Sequence, residues 1–353
     1  MSTHDPLRTA VIGYGLGGEA FHAPLIAATP GLALTTVITS NEQRAAAARS
    51  RYPEVRVLPS ADDLWGAAAE HDLVVITTAN SAHVPLGLAA LRAGLPVVID
   101  KPVAATTEAA RSLRDLAAER NLLISVYHNR RWDGDFLTLR RMLADGSLGQ
   151  VHRFESRFER WRPQLNGETW RENPEPDQAG GLLYDLGSHL IDQALVAFGP
   201  VSSVFAEVRT LRPGAKVDDD VFLALTHTGG TVSHLWASAV AADLGPRLRV
   251  LGSAGSYVKD GLDVQEDALR SGGSPAAPQW GVEPPDRWGV LGTPGDSSPL
   301  ETLPGAYQDY YALVRDAVRD ATAPPVTIED AIEVIAIIED AQRSAREGVT
   351  VTR

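Results

Sequence analysis

Apolar runs at residues 8–13, 33–39, 55–57, 73–77, 97–100 and 122–126 recur through the first 128 residues, and Ala-rich stretches with helical periodicity lie between them, as at 42–51, 82–93 and 107–120. This alternation constrains the fold more than any other feature. A strand, a helix and a further strand close up as a right-handed crossover, and repetition of that unit builds a parallel sheet with helices on both faces. Residues 73–77 and 97–99 are apolar on both faces of a strand, as they must be when helices cover each side. Asn41, Ser60, Ser81 and Thr106 stand where helix N-caps are expected, since their side-chain oxygens can accept from free first-turn N–H groups. The pattern predicts a doubly wound parallel sheet over residues 1–128.

The period changes after His128. Short strands are predicted at 151–158, 201–211, 221–228, 231–239, 246–252 and 256–259, with Thr228-Gly229-Gly230 as a hairpin turn. One helix interrupts them near 183–198. Residues 271–305 hold seven of the 23 prolines and seven of the 31 glycines and read as a loop. Helices at 307–320 and 328–347 finish the chain and could pack back on the first domain. Residues 129–353 are therefore expected to form an α+β domain on a large, mostly antiparallel open sheet, which binds substrate and makes the oligomer contacts.

Composition removes several classes of function. The chain has 353 residues, enough for two buried cores. It contains no cysteine, which excludes disulfides, thiolate zinc sites and a cysteine nucleophile. A net charge of −13 argues against nucleic-acid binding driven by phosphate contacts. There is no 18-residue apolar run to span a membrane, and the N-terminal residues lack the basic and apolar regions of a secretory leader, so the expected setting is the cytoplasm.

The chemistry gathers in four places. Gly13-Tyr14-Gly15-Leu16-Gly17-Gly18 follows the first strand and opens a helix. Glycines there allow a tight turn and close backbone approach to a pyrophosphate, and the helix start supplies N–H donors; this predicts a Rossmann dinucleotide site. The second strand ends at Ser40-Asn41 without an acid at its tip, and Arg44 lies one turn on. That arrangement favours the 2′-phosphate of NADP(H) over the free hydroxyl of NAD(H), although Glu42 is close by and Arg44 could equally be a solvated helix residue. Asp100-Lys101-Pro102 ends the fifth strand, where ligands of such sheets collect, and Lys101 is one of three lysines against 29 arginines. Asp185 and His189, four residues apart on one helix, pair a carboxylate with an imidazole as a general base requires, and Asp192 continues that face. The same pair could be a buried polar cluster. No third or fourth metal ligand is evident, so no metal is expected.

In order and spacing, Gly13-x-Gly15-x-x-Gly18, Thr78-Ala79-Asn80-x-x-His83, Asp100-Lys101-Pro102 and Gly180-Gly181-x-x-x-Asp185-x-Gly187-x-His189 resemble the Gfo/Idh/MocA oxidoreductases over essentially the whole chain. The family's usual Glu before Lys-Pro is Asp100 here, and its usual Pro before Asn80 is Ala79. Residues 127–136, 184–193 and 261–269 further resemble the branch that contains NADP-dependent scyllo-inositol dehydrogenase. The resemblance implies that Lys101, Asp185 and His189 are catalytic. His189 would take the hydroxyl proton as hydride leaves the same carbon, Lys101 would hydrogen-bond the reacting oxygen, and Asp185 would orient His189. It also implies that Asn80 and His83 lie near the nicotinamide ribose, with Thr78 and Asp100 beside them, and that Trp170 and Arg171 reach the cofactor. The substrate would be an uncharged polyol or sugar held by Lys101, Tyr127, Asn129, Arg131, Arg157, Tyr184, Asp185 and His189. Arg131 could instead close an ion pair with Asp133 or Asp135. A dehydrogenase of another sugar or small carbonyl compound is the alternative, and a non-catalytic cofactor sensor is more remote because the three catalytic residues are all present. A homodimer or homotetramer through the second domain's sheet is expected, with no nucleic-acid or membrane partner.

Overall fold

The computed structural model describes residues 5–165, 175 and 178–353. The chain divides into two units. The first comprises Met1–Asn129, Gln265–Trp280 and Ala306–Ile332, and the second Arg130–Val264, Gly281–Gly305 and Glu333–Arg353.

The first unit alternates β1 (Leu7–Ile12), α1 (Ala23–Ala28), β2 (Leu32–Ile38), α2 (Glu42–Arg51), β3 (Arg56–Leu58), α3 (Ala61–Gly66), β4 (Leu73–Ile76), α4 (Asn80–Arg92), β5 (Val97–Asp100), α5 (Thr107–Arg120) and β6 (Ile124–Tyr127). The strands pair in parallel in the order β3-β2-β1-β4-β5-β6, so the direction of winding reverses between β1 and β4. That reversal leaves a crevice at the carboxyl ends of the strands, where ligands bind in open α/β sheets. β4 is buried at all four positions, which at about 1.5–3 kcal/mol per buried aliphatic side chain anchors the sheet centre. Asn41, Ser60 and Thr106 cap α2, α3 and α5 through their side chains. Ser81 does not act as a cap: α4 starts earlier, behind Ala79, and Ser81 lies within its first turn.

In the second unit α6 (Gly134–Asp145), β7 (Val151–Glu159), α7 (Ser188–Phe198), β8 (Val201–Arg209), β9 (Asp220–His227), β10 (Val232–Ser238), β11 (Leu248–Gly252) and β12 (Ser256–Lys259) follow in turn. After α8 (Gln265–Arg270) come β13 (Gly289–Thr293), β14 (Asp296–Leu300), α9 (Tyr307–Asp320), α10 (Ile328–Glu347) and β15 (Val351–Thr352); α8, α9 and the start of α10 through Ile332 belong to the first unit. Among the described residues nine strands form one sheet, ordered β14-β13-β12-β11-β7-β10-β9-β8-β15, and its pairs are antiparallel except β7 with β10. The Thr228–Gly230 turn closes the β9–β10 hairpin, with Gly230 at φ 90°. One face packs on α7, as the Phe154 and Phe198 rings at 5.2 Å show.

Two expectations are corrected. Residues 271–305 are not simply loop, because β13 and β14 form a hairpin that extends the sheet. Their glycines serve close packing: a Cβ on Gly289 would lie 2.5 Å from the Tyr257 hydroxyl, and Gly292 sits at φ 145° against Ser297. Pro299 is tolerated because β14 is an edge strand. The second correction is α6, a helix the sequence pattern did not mark. Gly134 reads as a breaker, yet a Cβ there would press on the backbone of Leu303 and Gly305.

Candidate active site

In the first unit the glycine loop is shaped by its neighbours. Gly13 has φ 97°, and a Cβ on it would run into the Thr77 carbonyl; one on Gly18 would run into the Gly13 carbonyl. These two glycines close the turn. Gly15 differs: the three atoms nearest its Cβ position are the Arg44 guanidinium carbon and two of its nitrogens, 3.8–3.9 Å away. A side chain at Gly15 would thus sit in ordinary contact with Arg44, which places a cation beside the loop where a phosphate group would bind. Leu16 is exposed beside it. Ser40, Asn41 and Arg44 are exposed at the tip of β2, and the Asn41 side chain accepts from the Arg44 N–H at 3.0 Å. The helix after the loop begins on a wide turn, Gly17–His22, in which Ala23 N–H donates to the Gly18 carbonyl. Such wide turns concentrate at functional sites. The residues present therefore fit a dinucleotide.

Beside the loop stand the ends of β4 and β5. Asn80 is buried at the start of α4. Lys101 is half-buried, and its N–H donates to Asp100 Oδ1 at 2.8 Å. Burial alone would raise the Asp100 carboxyl, but His22, Lys101 and His83 together hold it down at about 2. His83 has an internal task. Its Nδ1 lies 2.8 Å from the Pro102 carbonyl and its Nε2 3.2 Å from the Thr78 carbonyl; a neutral imidazole has one N–H, so the ring donates to one of these two carbonyls and not to both. Burial lowers its basicity.

In the second unit the helix bearing Asp185 and His189 also starts on a wide turn, Leu183–Gly187, before α7. Gly181 at φ 90° bends the chain into it, and a Cβ there would collide with the Asp218 carboxylate. Asp218 accepts from Leu183 N–H at 2.7 Å, and its backbone carbonyl accepts from Leu182 N–H at 3.0 Å. Burial pushes the Asp218 carboxyl up to about 6. Asp185 is half-buried and His189 is buried, with its ring 6.2 Å from that of Phe158. The Arg130 and Arg247 guanidinium groups lie over the Phe158 ring at 4.8 and 4.2 Å. Gln193 donates to the Arg130 carbonyl and accepts from Arg247, each at 2.7 Å, which locks the rotation of α7 about its axis.

Several expected pocket residues have other surroundings. Arg131 pairs with Asp192, Nη2 to Oδ1 at 2.7 Å, an acid 61 residues away that the sequence did not single out as its partner. Arg130 meets Asp133 at 3.5 Å, and Arg247 meets Asp135 at 3.5 Å. Arg157 stacks on Trp236 at 4.0 Å and pairs with Glu155 at 3.0 Å. Alternation along β7 puts it on the sheet face opposite Phe158 and His189, so it is not beside the base. Tyr184 is buried near Gln342 and Glu339 of α10, and burial raises its hydroxyl to about 12. Tyr127 is buried, its ring 4.2 Å from that of His22 and 5.0 Å from that of Tyr310. Asn129 is buried in a short turn. Trp170 and Arg171 lie outside the described residues. Sequence reasoning passed over His22, Phe158 and Asp218; the run Asp218-Asp219-Asp220 after Gly180-Gly181 was the available signal for the last.

A parallel sheet of this order with a glycine loop at its switch point defines a dinucleotide-binding Rossmann fold. The chain belongs to the Gfo/Idh/MocA oxidoreductase family: residues 7–128 match its NAD-binding Rossmann fold and residues 140–352 its C-terminal alpha/beta domain. It is 42% identical over 350 residues to the uncharacterized oxidoreductase YdgJ of Escherichia coli, covering 98% of each chain. It is 36% identical over 351 residues to the NADP-dependent scyllo-inositol 2-dehydrogenase IolW of Bacillus subtilis, covering 98% of this chain and 96% of that one. A solved structure of YvaA from Bacillus subtilis superposes with a TM-score of 0.93 at 34% identity, over 100% of both chains. Among the described residues no helix is long and apolar enough to cross a membrane.

Proposed function

We propose that the protein is an NADP-dependent dehydrogenase of a cyclic polyol, interconverting an inositol such as scyllo-inositol with its ring ketone. The observation that carries the reading is the buried imidazole of His189 with a carboxylate, Asp185, four residues upstream on a helix whose start and rotation are pinned by Asp218 and Gln193. Similarity to IolW along the whole chain supports the polyol. The Arg44 guanidinium beside Gly15, next to a strand tip without an acid, supports NADP over NAD.

When bound, the nicotinamide accepts the hydride. In that direction His189 takes the hydroxyl proton as the carbon–oxygen double bond forms, and Asp185 steadies the imidazolium that results. Lys101 donates a hydrogen bond to the reacting oxygen; as an ammonium on a flexible stem it can follow that oxygen between hydroxyl and ketone. Thr78 and Asn80 would line the nicotinamide end. The half-buried face of the nine-stranded sheet, which carries Phe222, His234 and Trp236, makes the dimer or tetramer contact.

Absorbance of the reduced cofactor tests this with scyllo-inositol, myo-inositol, glucose and xylose, each with NADP and with NAD. Reduction of NADP with an inositol, lowered by about 10²–10⁴ in His189→Ala, is expected. Turnover confined to glucose or xylose would refute the polyol, and turnover confined to NAD would refute the role of Arg44.

A further inference from the structure

His22 lies on the wide turn just past the glycine loop, fully buried, and the functional reading gives it no part. Its ring is held in an aromatic box. Tyr127 is tilted against it at 4.2 Å between centroids, Tyr311 meets it edge-on at 6.1 Å, and Tyr310 supports both tyrosines at 5.0 and 5.3 Å. Both ring nitrogens have assigned neighbours. Nδ1 is 2.5 Å from the Tyr311 hydroxyl, and Nε2 is 3.6 Å from Asp100 Oδ2. Nε2 has no hydrogen-bond partner, since 3.6 Å is beyond hydrogen-bond range; the contact with Asp100, whose side chain is 25% exposed, is electrostatic.

The direction of the chain follows from the protonation states. Burial keeps the Tyr311 hydroxyl protonated by raising it well above its ordinary range. A neutral His22 then accepts from Tyr311 at Nδ1 and carries its proton on Nε2, facing Asp100. A charged His22 carries protons on both nitrogens, and Nε2–H faces Asp100 again. In either state an N–H is presented to Oδ2, while Oδ1 of the same carboxylate accepts from the Lys101 N–H at 2.8 Å. The glycine loop leans on this carboxylate too, since a Cβ on Gly17 would lie 3.3 Å from Oδ2.

We propose that His22 and Tyr311 are positioning residues for Lys101: the buried series Tyr311–His22–Asp100 fixes the carboxylate that holds the Lys101 backbone at the end of β5. This rests on Lys101 being the group that meets the reacting oxygen, so the test has one arm that does not need turnover. The chain has three lysines, Lys101, Lys216 and Lys259. Selective ¹⁵N-lysine labelling of the full-length protein therefore yields three backbone amide signals, and Lys101→Arg identifies the first. Tyr311→Phe and His22→Phe are each expected to move the Lys101 amide and leave Lys216 and Lys259 in place. The same variants are expected to lower kcat about tenfold or more with KM nearly unchanged, because a small misplacement of a reacting group costs rate rather than binding. As members of one series, the two changes combined should lose no more than His22→Phe alone. A Lys101 amide unmoved in both variants, or losses that multiply in the double variant, would overturn the proposal. If no polyol is turned over by the wild type, the functional reading fails and the amide shift still decides the positioning role. Should His22→Phe not fold, Tyr311→Phe, which removes one oxygen, decides it by the amide shift.

Discussion

Arg44 shows how far single residues can be read. Its place one turn past an acid-free strand tip was legible because cofactor discrimination in this fold is local in sequence, and the structure brings its guanidinium beside Gly15 of the glycine loop. Arg44→Ala is expected to raise KM for NADP about tenfold or more, the loss of one charge-assisted phosphate contact, while KM for NAD stays within about twofold; initial rates with each cofactor check this. The placement of Asp185 and His189 four residues apart on one helix, and of Lys101 at the end of β5, is equally local in sequence. The surroundings of Arg157, Tyr184 and Arg131 are not. The side on which Arg157 emerges depends on the register of β7 with β10, and the Asp192 that takes Arg131 is 61 residues away in sequence. His22 was hidden likewise, because its partner Tyr311 is 289 residues distant.

Most elements announced themselves through periodicity, and two that did not, α6 and β13, contain glycines whose purpose is tertiary. Gly134 begins α6 and Gly289 and Gly292 lie in β13; each reads as a break, and each exists because another segment passes too close for a side chain. The start of the His189 helix gives a prediction at this scale. The Asp218 carboxyl is raised to about 6 by burial, whereas an unfolded chain releases that proton near pH 4. Between those values the folded state holds the extra proton, so this group's contribution to stability falls as pH rises. Asp218→Asn keeps an oxygen for Leu183 N–H and removes the buried charge. It is expected to be as stable as the wild type or more so at pH 7.5, by at most about 3 kcal/mol, with the difference shrinking toward pH 4. Urea unfolding at the two pH values measures it, and a difference independent of pH would assign the effect to something other than Asp218 ionisation.

The two units differ in what they expose. Along β9 and β10 burial alternates strictly, and the half-buried side bears Phe222, His234 and Trp236 in mutual ring contact. Burial of such a face between copies would contribute several kcal/mol, since each large aromatic removes about 150–250 Å² from water. Trp236→Glu is expected to reduce the mass measured by light scattering to that of one chain, and an unchanged mass would move the oligomer contact elsewhere. The path of the chain has a different consequence. It passes between the two units after residues 129, 264, 280, 305 and 332, and two of the three tyrosines around His22, Tyr310 and Tyr311, come from one of the late returns. A chimera joined anywhere between residues 22 and 311 would therefore take His22 from one parent and Tyr311 from the other, so the first unit cannot be exchanged as a single leading segment of the gene.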